Sequence, residues 1–178
     1  YDPYTPVEKN IDENQAILEE RLGIGKSFDV GKREIVVMGR RLQLYYVTGL
    51  INSDLIVDLM TQLLLLNSLP EPGHDVLQTI HNRLVHQQVN STEKLEDIYT
   101  AVLSGLIGII IDEETEAFIV DVRSYPGRGP SEPDTEKTVR GSRDGYTENI
   151  IVNTALTRRR IRTGTVSYTH LRAHETLR

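Results

Sequence analysis

Apolar positions along this chain switch between a helical and an alternating rhythm, and the switches mark its elements. Ile11, Ile17, Leu18 and Leu22 recur at helical spacing over residues 10–22, and Gly23 and Gly25 follow as a stop. The six residues before Val7 read as a loose arm. Residues 34–38 and 42–47 are β-branched, aromatic and aliphatic runs on either side of Gly39-Arg40, a pattern that predicts a β-hairpin finished by Gly49. Asn52 or Ser53 then caps a helix to about Asn67, broken by Pro70, Pro72 and Gly73. A third helix is predicted from Asp75 to about Gln88 on the stripe Val76, Leu77, Ile80, Leu84 and Val85. Ser91 or Thr92 caps a fourth, with Leu95, Ile98, Tyr99 and Val102 on its apolar face and Gly105 at its end. Residues 106–111 and 117–122 form a second hairpin around Asp112 to Glu116, a tip too acidic to bury.

Two hairpins separated by helices predict an α/β (α+β) unit: a small four-stranded sheet with helices on at least one face, spanning residues 1–125. Residues 126–137 hold Pro126, Gly127, Gly129, Pro130 and Pro133, which suits a linker and no regular element. After it, Ser142 and Asp144 offer capping oxygens and Asp144 and Glu148 place negative charge in the first turns of a helix. Arg158, Arg159, Arg160 and Arg162 stand at its C-terminal end, where the helix dipole favours cations. Tyr146, Ile150, Thr154, Leu156 and Ile161 form its stripe, widened by Ile151, Val152 and Ala155. A stripe that wide needs something to pack on, and because the helix lies beyond the linker, residues 138–164 are set apart from the first unit.

Composition narrows the function. The 178 residues are 38% hydrophobic with a net charge of −6, enough for one core and part of another, and the one dense basic run is at Arg158 to Arg162. A nucleic-acid binder would carry a basic face, so nucleic acid is not an expected partner. Cysteine is absent, which excludes disulfides and thiolate metal sites and weakly favours a reducing compartment. No signal peptide opens the chain, and the apolar runs 55–66 and 103–111 are too short for a bilayer. His74, His81 and His86 are spaced by seven and five, which does not set three ligands on one helical face, and the acidic turn 112–116 lacks the alternating ligands of a calcium loop. With no nucleophile or phosphate-binding motif either, no metal, cofactor or enzymatic activity is expected.

Arg140, Gly141, Ser142, Arg143, Asp144, Gly145, Tyr146 and Glu148, followed by Asn153 to Arg162 (NTALTRRRIR), closely resemble a block of the GerA spore germination family. Upstream segments, ERLGIGKSFDVGKRE, LYYVTGL, NRLVHQQV and AFIVDVRSYPGRGPSEPDTEK, resemble a branch of that family other than its nutrient-receptor A subunits. The resemblance runs from about Asn14 to Arg162. It implies two similar α/β units on the cytoplasmic side, followed by a membrane-spanning part in the spore inner membrane. It also implies membership of an oligomeric receptor or ion channel, with homo-oligomeric contacts and other membrane germination subunits as partners.

Two basic clusters are candidate sites. Arg140, Gly141, Ser142 and Arg143 precede a helix N-terminus, where guanidiniums and free N–H groups can hold an anion; that anion is either a small ligand or the chain's own Glu132, Asp134 or Glu136, making a hinge. Arg158, Arg159, Arg160 and Arg162 either contact an interface or anionic lipid, or complement the helix dipole. Residues 165–178 are read as a non-native tail, because VSYTHLRAHET at 166–176 resembles the translation of a sequencing adapter. Tyr1 is read as a fragment edge.

Overall fold

Ile107–Ile111 (IGIII) is buried at every position, so the strand must be covered on both sides. The computed structural model describes residues 4–51, 53–68, 75–84, 88–122 and 150–164. In it, β1 (Val30–Val37), β2 (Arg40–Val47), β3 (Gln88–Thr92), β4 (Ile107–Ile111) and β5 (Ala117–Asp121) form one sheet in the order β1-β2-β4-β5-β3. Every pairing is antiparallel. Ile107, Ile109 and Ile111 point to one face, with Leu42, Leu44, Phe118 and Val120, and pack with α2 (Ser53–Leu64) and α3 (Val76–Arg83). Ile110 points to the other, with Tyr45 and Val47, towards α1 (Ile11–Leu22) and α4 (Leu95–Leu103). The result is three layers, helix–sheet–helix. Gly108 sets the spacing of one of them, because a Cβ there would collide with Ile98 of α4.

Local chemistry explains the boundaries. Asn10 caps α1 by accepting from the Asp12 amide at 3.0 Å, and Gly23 ends it at φ +68°. Met38 and Gly39, both at positive φ, make the two-residue turn between β1 and β2. Asn67, in a 3₁₀ turn that extends α2 (Leu65–Ser68), clasps that turn by donating to the Val36 carbonyl and accepting from the Met38 amide.

The sheet has five strands rather than the expected four. β3 falls where the third helix was expected to finish: α3 stops at Arg83, and Gln88–Thr92 pairs with Ala117–Asp121. QVNST carries one apolar residue, and an edge strand with polar side chains gains its order from backbone pairing that periodicity does not show. Lys94, not Ser91 or Thr92, is the cap residue of α4; Thr92 Oγ1 instead accepts from the Lys94 amide and donates to Asp97. Residues 4–6, the described part of the expected loose arm, are also tied down. Val7 donates to the Glu93 carbonyl, Leu95 to that of Thr5, and the Thr5 amide to Glu96 at 2.9 Å.

Candidate functional site

The last described element, α5 (Ile150–Ile161), lies against the sheet unit through one row of its side chains. Thr154, Ala155, Leu156 and Arg158 are buried, while Ile150, Ile151 and Ile161 are largely exposed. Thr154, Ala155 and Leu156 belong to the stripe expected from apolar spacing, but Ile150 and Ile161 of that stripe stay outside and Arg158, which was not part of it, is buried. Gly49 permits the approach. At φ +87° it holds a conformation that side chains resist, and a Cβ there would sit 2.9 Å from Ile151 Cγ2 and 3.1 Å from Ala155 Cβ. Beyond the helix, the Gly164 amide donates to Tyr99 Oη at 2.9 Å, and a Cβ on Gly164 would strike the backbone of Arg21.

Between these two close approaches stands a buried ion pair. Arg158 is 1% exposed and Asp29 0%. Nε of Arg158 donates to Oδ2 of Asp29 at 2.9 Å and Nη2 to Oδ1 at 2.8 Å, a two-pronged match of guanidinium and carboxylate. Nη2 also donates to Ser27 Oγ at 3.1 Å, and that hydroxyl donates to Asp29 Oδ1. Nη1 reaches the Thr163 carbonyl at 2.7 Å. The acceptor loop is itself held in place: the Ser27 amide donates to the Gly23 carbonyl at the end of α1, and the Thr48 amide after β2 donates to the Asp29 carbonyl at 2.7 Å.

This arrangement separates the four arginines. Arg158, considered from sequence as an interface or lipid contact, is inside the fold, where no headgroup reaches it. Arg160 and Arg162 are exposed and Arg159 is partly so. Arg162 closes the helix end, its amide donating to the Arg158 carbonyl and its Nε to that of Arg159. Arg140, Gly141, Ser142 and Arg143 lie outside the described residues, as do Glu132, Asp134 and Glu136. Asp29 and Ser27 were not singled out by sequence reasoning. The available signal was helical phase: Arg158 is three, four and seven residues from Ala155, Thr154 and Ile151 and so shares their face, although Arg162, seven residues from Ala155, has the same phase.

Three other polar groupings occur among the described residues. Glu96 accepts from Arg21 at 2.6 Å and from the Thr5 amide; although partial burial acts to raise its pKa, these hydrogen bonds outweigh burial and bring it down to about 2. Tyr45 donates to the buried Gln43, which donates to Gln15 and Glu34; burial first, then the charges of Glu19 and Glu34, pushes the Tyr45 phenol well up. A cavity of about 190 Å³ is lined by Leu77, Gln78, His81, Ser91, Glu116 and Phe118, with the His81 ring 5.7 Å from that of Phe118. Among the described residues no cluster of three acidic or histidine side chains is placed to hold a metal, and no helix is long and apolar enough to cross a membrane.

The geometry is that of a three-layer sheet unit with the last described helix held on it by an internal ion pair. The chain belongs to the GerA spore germination family: the family model described as Bacillus/Clostridium GerA spore germination protein matches residues 16–177. That match continues through the segment read as a non-native tail, which lies outside the described residues. The chain is similar to stage V sporulation protein AF of Bacillus subtilis (strain 168), 46% identical over 156 residues, covering 88% of this chain and 32% of that protein. This is the branch indicated by the upstream segments. Spore germination protein GerLA of Bacillus cereus is 29% identical over 151 residues, covering 83% and 30%. The chain thus spans about a third of the length of these relatives. Its fold is similar to the N-terminal domain of the A subunit of the Bacillus megaterium spore germinant receptor GerK3, with a TM-score of 0.67 at 18% identity, covering 90% of this chain and 58% of that one.

Proposed function

We propose that this region is the non-catalytic N-terminal domain of a spore inner-membrane germination protein, on the cytoplasmic side, and that it supplies assembly or gating contacts to an oligomeric receptor or ion channel. Family membership supports the process, and the observation that carries the role is the docking of α5. This helix follows residues 126–137, read from sequence as a linker, and is fixed to the sheet unit by Arg158 and Asp29. In this reading 1–125 is the first unit, 138–164 opens the second, and the domain works by how its units are held. The partners are further copies of the protein and other membrane germination subunits. Affinity purification of the tagged full-length protein from solubilised spore inner membranes tests this. Co-purification with a second copy or another germination subunit, lost on deletion of residues 1–125 while membrane location is kept, is expected; unchanged co-purification after that deletion contradicts it.

The glycine and arginine turn supports a second reading, a regulatory domain that senses a small anion through Arg140, Gly141, Ser142 and Arg143 and couples it to the membrane part. Calorimetric titration with phosphate separates the two. Saturable heat abolished by Arg143→Ala favours sensing, and no heat favours the packing role.

A further inference from the structure

We propose that Ser27, Asp29 and Arg158 form a releasable clamp, so that α5 and whatever follows it dock on and leave the sheet unit as one body. The inference does not rest on the germination reading, because its test observes α5 itself. The hydrophobic part of the attachment is small: Ala155 joins the apolar core beneath α1 and α4 and Leu156 is buried, whereas Ile150 and Ile161 face solvent. What specifies the docked position is polar and steric: the two-pronged ion pair, the Gly164–Tyr99 hydrogen bond and the close approach at Gly49. A buried ion pair recovers in attraction roughly what its desolvation costs, so it selects one geometry more than it adds adhesion. Such a contact suits a joint with two discrete positions.

The socket is wired to the rest of the unit. Ser27 hangs from the Gly23 carbonyl at the α1 terminus, and Asp29 is bonded through its carbonyl to Thr48, directly before Gly49. Departure of α5 would strip the buried Asp29 carboxylate of its countercharge and oblige the 23–29 loop and the end of β2 to rearrange. The position of α5 is thereby communicated to α1 and to the β1–β2 hairpin.

Hydrogen exchange on the whole chain tests the clamp, with Asp29→Asn removing the countercharge and Gly49→Ala opposing the close approach without touching the ion pair. The clamp predicts that amides of α5 exchange about tenfold faster or more in both variants, while β4 keeps its protection. Unchanged α5 exchange in both variants would overturn it, since the pair would then hold nothing. Parallel loss of protection in α5 and β4 in both would also overturn it, because α5 would be an inseparable part of the core.

Discussion

Glu96 stands where the N-terminal arm, α1 and α4 meet, bonded to the Thr5 amide and to Arg21. Its folded pKa, about 2, lies below the ordinary 4.5. The stabilisation it gives is therefore complete above about pH 4.5 and is lost as pH falls towards 2. Urea unfolding of wild type and Glu96→Gln across that window should show the wild-type midpoint falling more steeply with acid; identical slopes would show that the carboxylate contributes nothing. Asn14 offers a second test at this scale. Fully buried, it accepts from the Glu8 amide at 2.8 Å and donates to the Glu8 carbonyl at 2.6 Å, closing the turn before α1. Asn14→Ala should cost about 1–3 kcal/mol in chemical unfolding, because a buried polar contact is left open. Neither residue was visible from sequence as important, nor was Asp29. Asn14 and Glu96 lie in α1 and α4 and Asp29 in a loop, and in either setting a polar side chain adds nothing to the apolar rhythm, its role being set by partners that periodicity does not show.

At the scale of elements, periodicity carried most of the information. α1, α2 and α4 and both hairpins lie close to where their apolar spacing and glycines put them. The failures have a common physical cause. β3 is ordered by backbone pairing to β5, and α5 buries, beside Thr154, Ala155 and Leu156 of its expected stripe, an arginine that no hydrophobic pattern marks. Where a small residue is structural, substitution reveals it. Gly108 of β4 lies beneath Ile98 and Val102 of α4, so Gly108→Ala should push that helix outward and cost about 1–3 kcal/mol. Thermal unfolding would register this as a lowered midpoint, and an unchanged midpoint would mean that α4 is not seated on β4 as described.

The whole molecule is a sheet covered on both faces, with α5 added to one of them. Its class was legible: the alternating hairpins and intervening helices imply an α/β unit with helices on at least one face. The second covered face was implicit in Ile107–Ile111, a run with no exposed side. The block from Arg140 to Arg162 identified the family, although its first residues lie outside the described ones and its most consequential arginine has an internal role. Where α5 attaches could not be read from sequence, because Asp29 and Arg158 are 129 residues apart and neither is unusual alone.

That attachment is the centre of the account, and a double-mutant cycle between Asp29→Ala and Arg158→Ala, measured by equilibrium chemical unfolding of the whole chain, tests it most directly. A buried, two-pronged ion pair predicts a coupling energy of about 2–3 kcal/mol, whereas additive effects, with coupling below about 0.5 kcal/mol, would contradict the docking of α5 through this pair.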